Sequence, residues 1–348
     1  MGVRTNKRYQ RQIRPARRFR MRALAFMALS AAVLPAGAYL GVSALVARKL
    51  AFSKPLPIDR TPTSLGLDYR NVTFVSRDDG VVLRGWLIPG IGANGEPTFD
   101  RTVIAMHGAW QNRTDAAIGL LDLCGELARA GFAVLALDMR GHGESQIAPF
   151  SLGFAEQRDA LGAVDFLRSG PLPYRNLARP RWIGGYGISM GAHALLYAAA
   201  REPAIRAVVA DSAYAEMLQT IERELPQRSK LPRFFTPGVL FIARALYGVD
   251  VAAVRPVDAV AAISPRPLLL IQGGADEMVP ASSLTELARA AETNPTAHVV
   301  TWRAPNVPHA QAFHQEREAY VSLLIAFLTA SFDHEVSQAA ADADRIAG

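Results

Sequence analysis

The sequence predicts an α/β fold in which a mostly parallel eight-stranded sheet is flanked by helices. From residue 71 onward, short apolar runs alternate with helical patterns, and this alternation is typical of strands joined by crossover helices. The later apolar runs are continuous, as expected of strands that are buried on both faces of a parallel sheet. Half of the 348 residues are apolar, which is enough to fill a large core.

The distribution of charge and the cysteine count exclude several classes of site. The formal net charge is +7, but nine of the 38 basic residues lie within residues 1–22, where there is no acidic residue. The other 29 basic residues are balanced by 31 acidic ones, so we expect no nucleic-acid partner. The one cysteine, Cys124, excludes an intramolecular disulfide and a cysteine-based zinc cluster. Its apolar neighbours predict a buried core residue.

An uncharged segment follows the basic leader of residues 1–22. Residues 23–47 carry no charge over 25 positions. As a helix they would span about 37 Å, enough to cross the hydrocarbon core of a membrane. We predict a single-pass signal anchor with a cytoplasmic N-terminus, followed by a linker over residues 48–70 and a domain facing the periplasm or the cell exterior. The alternative is a signal peptide cleaved after Ala36–Ala38, which would release a secreted domain; the apolar run continues past this site and favours the anchor.

Residues 71–332 carry the strand and helix patterns of the predicted domain. The first two apolar runs alternate, which predicts an antiparallel edge with a turn at Asp78-Asp79-Gly80. Residues 333–348 are polar and Ala-rich and predict a frayed tail. The candidate strands are Asn71–Ser76, Val81–Ile88, Thr102–Met106, Ala133–Asp138, Trp182–Tyr186, Ala207–Ala210, Leu268–Gln272 and His298–Trp302. The candidate helices are Ala116–Ala130, Phe154–Arg168, Met190–Ala200, Ser283–Glu292 and Gln315–Ser331.

Residues 213–262 interrupt the alternation after the sixth strand. Two helical stretches flank the loop Pro226–Pro237, and this pattern predicts a small helical cap. Several apolar residues of the cap fit ordinary helix packing, and they equally fit an acyl pocket or contact with a bilayer. They are Leu231, Phe234, Phe235, Leu240, Phe241 and Ile242.

A Gly-x-Ser-x-Gly pattern, Gly187–Gly191, falls between the fifth strand and the following helix. A turn this tight holds its central residue in a strained conformation, and the flanking glycines relieve the clashes. The hydroxyl of Ser189 would then be exposed at the carboxyl edge of the sheet, near a helix N-terminus. We therefore predict that Ser189 is a nucleophile rather than an incidental serine in a glycine-rich turn.

A serine nucleophile needs a base and an acid that orients the base. His309 lies in a proline-flanked loop after the last strand, at the edge of the sheet where ligands bind in open α/β folds. His314, at the start of the final helix, is the second choice. Asp276 follows the seventh strand and is the predicted acid, with Asp211 after the sixth strand as the alternative and Glu277 as a weaker candidate.

The attack creates an oxyanion, which needs fixed hydrogen-bond donors. The backbone N–H of Met190, directly after the nucleophile, is the first predicted donor. The second should come from the loop after the third strand, where we predict the N–H of Ala109, with Trp110 as the alternative. We expect the side chain of His107 in the same loop to be structural. This chemistry calls for neither a metal nor an organic cofactor.

These motifs together resemble those of α/β-hydrolases of the serine-esterase and monoacylglycerol-lipase-like group. The resemblance covers roughly residues 70–330 and implies the eight-stranded α/β-hydrolase fold and hydrolysis of esters, thioesters or amides. It also implies that the loop Arg140–Ser145 is structural. Ala109 departs from the pattern, because many relatives carry a polar residue there. The matching pieces are His107-Gly108, Asp138–Ser145, Gly187–Gly191, Asp211-Ser212, Gly273–Pro280 and Pro308-His309.

The expected function is therefore that of a serine hydrolase that cleaves carboxylic esters or thioesters through an acyl-enzyme. The substrate would be a small-molecule or lipid-like acyl ester, and the membrane would be a partner through the N-terminal helix. An acyltransferase or an amidase or peptidase could use the same triad. A non-catalytic binding module tethered to the membrane is a further alternative. The sequence indicates no oligomeric state.

Overall fold

The structure is a computed structural model and describes residues 9–174 and 176–347. Its strands and helices alternate along the chain after an N-terminal helix. The strands of the main sheet are β1 (Arg70–Val75), β2 (Val82–Ile88), β3 (Arg101–Met106), β4 (Ala133–Asp138), β5 (Trp182–Ile188), β6 (Ile205–Asp211), β7 (Leu268–Gly273) and β8 (Val299–Ala304). The helices are α1 (Tyr9–Ala51), α2 (Leu120–Arg129), α3 (Gln157–Ser169), α4 (Met190–Arg201), α5 (Leu218–Ser229), α6 (Thr236–Tyr247), α7 (Ser283–Ala291), α8 (Ala312–Gln315) and α9 (Arg317–Ala347).

The eight strands form one sheet in the order β1-β2-β4-β3-β5-β6-β7-β8. β2 runs antiparallel to both of its neighbours, and the pairs from β4 to β8 are parallel. All eight predicted strands are present, and β1 and β2 form the predicted antiparallel edge. The continuous apolar runs predicted the parallel strands correctly, because β4 and β5 are buried along their full length.

The carboxyl ends of the central strands finish at one edge of the sheet. Met106 of β3 pairs with Gly187 of β5, and Ile188 of β5 pairs with Asp211 of β6. The ends of β7 and β8 are likewise in register. The loops that follow β3, β5, β7 and β8 therefore meet at this edge, and each of them carries a predicted site residue.

Helices cover both faces of the sheet. The core on one face includes apolar residues of α2 and α9, and the core on the other includes those of α3, α4 and α7. Cys124 of α2 lies in the first of these cores with no exposed surface, and burial raises the pKa of its thiol to about 12. The cysteine is therefore a core residue, as predicted.

Three features of the backbone differ from the prediction. The predicted leader, anchor and first linker residues belong, from Tyr9 onward, to the single helix α1. Residues 333–348 were predicted as a frayed tail, but α9 continues through them to Ala347, because the alanines of this segment favour a helix and it has no Gly or Pro before its last residue. The structure also contains a hairpin of two-residue strands, Gly90–Ile91 paired with Pro97–Thr98. The sequence did not predict it, because strands of two residues are too short to show an alternating pattern.

The segment between β6 and β7 contains α5 and α6, with a 3₁₀ turn at Arg233–Phe235 between them. The end of α1 packs against α6, and Ala47 and Ala51 are completely buried there. In the described chain, Val33–Ala51 of α1 is long and apolar enough to cross a membrane, with a mean hydropathy of 1.2. A signal sequence, the alternative prediction for this segment, meets the same criterion.

Candidate active site

Ser189 occupies the turn between β5 and α4 in a strained conformation, with φ 53° and ψ −114°. A Cβ added to Gly187 would lie 2.4 Å from the carbonyl oxygen of Gly191, and one added to Gly191 would lie 2.4 Å from that of Met106. These distances leave no room for a side chain at either glycine. The tight turn holds Ser189 beside a cavity, at the N-terminus of α4.

His309 lies between Ser189 and Asp276. With its proton on Nδ1, His309 donates to Asp276 Oδ2 across 2.8 Å, and its Nε2 is 3.2 Å from Ser189 Oγ as an acceptor for the hydroxyl. The other carboxylate oxygen of Asp276 accepts from the backbone N–H groups of Met278 and Val279, each at 2.9 Å. The side chain of Asp276 is fully buried, whereas the side chain of His309 is 17% exposed. This geometry can draw a proton from the serine hydroxyl.

The alternative residues from the sequence have other partners. Asp211 is buried, and it accepts hydrogen bonds from the hydroxyls of Tyr320 at 2.8 Å and Ser212 at 2.9 Å. Burial, the largest cause, raises the pKa of Asp211 to about 6. Glu277 and His314 are exposed. None of these three side chains is hydrogen-bonded to Ser189 or His309 in the described chain.

The two predicted oxyanion donors line the same cavity as Ser189. Neither the N–H of Ala109 nor that of Met190 has an intramolecular acceptor within the described residues. The N–H of Trp110, the alternative donor, already has an acceptor, because it donates to His142 Nε2 at 3.1 Å. Ala109 and Met190 thus offer N–H groups that a substrate oxygen could accept from.

Two buried histidines hold the loop that carries Ala109. His107 Nδ1 is 2.7 Å from the carbonyl oxygen of Gly108, and its Nε2 accepts from the N–H of Met139 at 3.1 Å. His142 contacts His107, with ring centroids 5.1 Å apart, and accepts from the N–H of Trp110. Burial, the largest cause for both, lowers the pKa of His107 to about 4 and that of His142 to about 3. Both are neutral at pH 7, and their contacts are structural.

The sequence did not single out Asp115, which lies beside this loop. Asp115 is buried and has a positive φ of 27°, and its Oδ2 accepts from the N–H of Gly108 at 3.4 Å. Its Oδ1 has no partner within the described residues. Burial raises the pKa of Asp115 to about 7. The polar run from Asn112 to Asp115, in the loop after the third strand, was the only available signal.

The cavity beside Ser189 holds about 270 Å³. Most of its lining is apolar, and it is contributed by α1, α5 and the loops at the carboxyl edge of the sheet. Its apolar lining residues are Val46, Leu50, Ala109, Trp110, Leu152, Met190, Tyr214, Met217, Ile221, Leu225 and Met278. The part of the chain described by the structure holds no group of three or more His, Cys, Asp or Glu arranged to bind a metal ion.

Parts of the chain are similar to a known protein family and to a curated protein. Residues 92–231 match the family described as X-Pro dipeptidyl-peptidase (S15 family); this segment contains Ser189 and ends before Asp276 and His309. Among curated proteins, the chain is similar to YfhR of Escherichia coli strain K12, with 28% identity over 212 residues, which are 60% of this chain. The chain matches 64% of the length of YfhR.

Solved structures of hydrolases share the architecture. The chain is similar to the esterase Pf2001 of Pyrococcus furiosus, with a TM-score of 0.65 and 26% identity over 81% of this chain and 98% of the esterase. It is also similar to the α/β hydrolase GrgF from Penicillium sp. sh18, with a TM-score of 0.57 and 18% identity over 76% of this chain and 99% of GrgF. The predicted fold class is confirmed: the chain has the α/β-hydrolase fold.

Proposed function

We propose that the protein is a serine hydrolase that cleaves carboxylic esters or thioesters through an acyl-enzyme. One observation carries the proposal: Ser189, His309 and Asp276 form a continuous hydrogen-bonded line that ends at an apolar cavity. The likeness to an esterase and to an S15 family segment supports a hydrolase, and the resemblance to monoacylglycerol-lipase-like esterases supports an acyl substrate.

In the proposed mechanism, Ser189 Oγ attacks the carbonyl carbon of the substrate while its proton passes to His309 Nε2. The N–H groups of Ala109 and Met190 donate to the oxyanion, and Asp276 stabilises the imidazolium. The leaving alcohol or thiol takes the proton from His309. Water then attacks the acyl-enzyme, again giving a proton to His309, and the carboxylic acid leaves as the serine hydroxyl is restored.

The charges around the cavity favour an ester over an X-Pro dipeptide. A dipeptidyl-peptidase binds a substrate with a free, positively charged N-terminus, which needs an anionic partner. The acidic residue that lines the cavity is Glu224, and it is already paired with Arg228 at 2.9 Å and with Arg223 at 3.4 Å. The apolar residues that make up most of the lining suit an acyl chain.

For the location of the protein, we propose a single-pass membrane anchor. The apolar segment Val33–Ala51 supports it, together with the nine basic residues that precede the uncharged run. In this topology the N-terminus is cytoplasmic and the hydrolase domain faces the periplasm or the exterior. Protease added to cells from which any outer membrane has been removed should then digest the domain, while the cytoplasmic membrane stays intact.

The activity is tested with a substrate panel and one substitution. Wild type should hydrolyse p-nitrophenyl esters and acyl thioesters but not Ala-Pro p-nitroanilide, and a fluorophosphonate probe should label it at Ser189. Ser189→Ala should lose at least about 10³-fold in kcat/KM and all labelling. If Ser189→Ala retained ester hydrolysis, or if the X-Pro amide were the better substrate, the proposal would be wrong.

A further inference from the structure

The last turns of α1 run alongside α6 in the same direction. The ring centroids of Tyr39 and Phe235 are 5.1 Å apart at the start of α6, and those of Phe52 and Tyr247 are 5.3 Å apart at its end. The hydroxyl of Tyr39 donates to the carbonyl of Phe234 at 2.9 Å and accepts from the N–H of Gly238 at 3.0 Å. This end of α1 is therefore fixed to the cap.

The same turns of α1 also reach the cavity beside Ser189. Val46, Lys49 and Leu50 line it, and their spacing of three and four residues places them on one face of the helix. The neighbouring Leu45 points away and is 68% exposed. The end of the predicted anchor and the first residues of the predicted linker thus form a wall of the space next to the nucleophile.

Helix α5 supplies a further wall of this cavity. Ile221 and Leu225 present apolar side chains to it, and Thr220 lines it with a hydroxyl that has no hydrogen-bond partner within the described residues. Thr220 is 2% exposed, so solvent does not satisfy this hydroxyl. A buried, unpaired hydroxyl beside the apolar side chains of Ile221 and Leu225 points to a ligand with both polar and apolar parts.

With α1 as the proposed anchor, its sequence predicts the depth of the cavity relative to a bilayer. The uncharged run ends at Ala47, and Arg48 and Lys49 follow at the level where basic side chains meet lipid headgroups. In that topology the wall formed by Val46 and Leu50 would lie at the boundary between hydrocarbon and headgroups. Ester bonds of lipids lie at this boundary. Phe241 of α6 is 67% exposed, which agrees with an apolar surface next to the bilayer.

From these observations we infer that α1 is one wall of the acyl-binding site, in addition to being an anchor. The substrate class is a membrane lipid or other bilayer-embedded acyl ester, whose chain lies against Val46 and Leu50 while its carbonyl meets Ser189. The inference rests on the proposed hydrolase function. It adds that the site is complete only when α1 is docked.

The test compares two tryptophan substitutions on adjacent faces of α1. The full chain is reconstituted in phosphatidylcholine vesicles, and kcat/KM is measured for p-nitrophenyl hexadecanoate, which partitions into the bilayer, and for p-nitrophenyl butyrate. Val46→Trp fills the cavity and should lower the hexadecanoate-to-butyrate ratio at least tenfold. Leu45→Trp, on the exposed face, should leave the ratio within twofold of wild type. Because a ratio is used, loss of folded protein does not affect the result.

A second variant covers the case in which Val46→Trp fails to fold. Val46→Ala enlarges the same wall, and it should raise the relative kcat/KM for a branched long-chain ester over the linear one at least threefold. The inference is overturned if both Val46 variants keep the wild-type ratios, or if Leu45→Trp changes them equally. If wild type hydrolyses neither ester, the proposed function itself fails, and that result is distinct from an unchanged ratio.

Discussion

At the scale of single residues, two carboxyls at the ends of neighbouring strands have different partners. Asp276 accepts hydrogen bonds from His309 and from two backbone N–H groups. Asp211 accepts hydrogen bonds from the hydroxyls of Tyr320 and Ser212. The hydroxyl oxygen of Ser212 in turn accepts a hydrogen bond from the N–H of Ala310, next to His309. Asp276 is therefore placed to stabilise a protonated His309. Asp211, through Ser212, holds the loop that carries His309 in place.

This difference predicts unequal effects of two amide substitutions. Asp276→Asn should lower kcat/KM for p-nitrophenyl butyrate about 10³- to 10⁴-fold, because the amide favours the wrong tautomer of His309. Asp211→Asn keeps an acceptor for Tyr320 and should cost no more than about tenfold. Equal losses in the two variants would contradict the assignment of the acid.

The sequence could narrow the acid only to a short set of candidates. Asp276 and Asp211 both follow apolar strands, so position along the chain does not separate them. The deciding contacts are backbone N–H groups of Met278 and Val279, and whether a loop turns these toward a carboxylate depends on its three-dimensional path. Ser189 was easier to predict because its turn needs two glycines at fixed spacing.

Asp115 gives a prediction about pH and stability. Its pKa is raised to about 7 by burial, whereas an unfolded chain releases this proton near pH 4. Between about pH 4 and 7 the folded state therefore binds the extra proton, and the stability contributed by Asp115 falls as the pH rises through this window. The loss is up to about 1.4 kcal/mol of unfolding free energy per pH unit.

Asp115→Asn removes this titration and should reduce the drop in melting temperature between pH 5 and pH 7.5. The matched control is Asp59→Asn at an exposed carboxyl, which should keep the wild-type drop. A drop of unchanged size in Asp115→Asn would show that this carboxyl is ionised throughout the range.

At the scale of elements, the loop from Asp138 to Ser145 supports the oxyanion loop after β3. His142 accepts from the N–H of Trp110, whereas the N–H of Ala109, one residue earlier, has no acceptor within the described residues. The ring of His142 also packs edge-on against Phe150, with centroids 4.9 Å apart. The resemblance to a known group of hydrolases implied a structural role for this loop, but not which N–H group it would occupy.

Replacing His142, which accepts from the N–H of Trp110, should therefore lower kcat more than it changes KM. His142→Phe keeps most of the volume but leaves the N–H of Trp110 without an acceptor, so the loop can shift. We expect kcat to fall about 10- to 100-fold with KM within threefold, since the oxyanion is bound in the transition state. His142→Gln, which offers an amide oxygen, should recover at least part of the loss. A rise in KM alone in His142→Phe would contradict a positioning role.

At the scale of the whole molecule, the N-terminal helix and the hydrolase domain form one packed unit. The sequence could predict that the apolar part of α1 is a helix. An apolar helix face has the same sequence pattern whether lipid or protein covers it, so the docking could not be predicted. The docking depends on details such as Gly238, where an added Cβ would lie 2.7 Å from Ser43 Oγ. Only the fold of the cap brings these two positions together, 195 residues apart in the chain.

This contact can be tested in the membrane with a disulfide. The native cysteine, Cys124, is buried and should not interfere. Ser43→Cys with Gly238→Cys places two sulfurs within reach of each other, so mild oxidation should close the bond and speed migration on a non-reducing gel. Leu45→Cys with Gly238→Cys is the matched control, because Leu45 is on the exposed face of α1 and should not cross-link. Equal cross-linking of the two pairs, or none in the first, would mean that α1 leaves the cap in the bilayer, and the acyl-binding site would then lack its α1 wall.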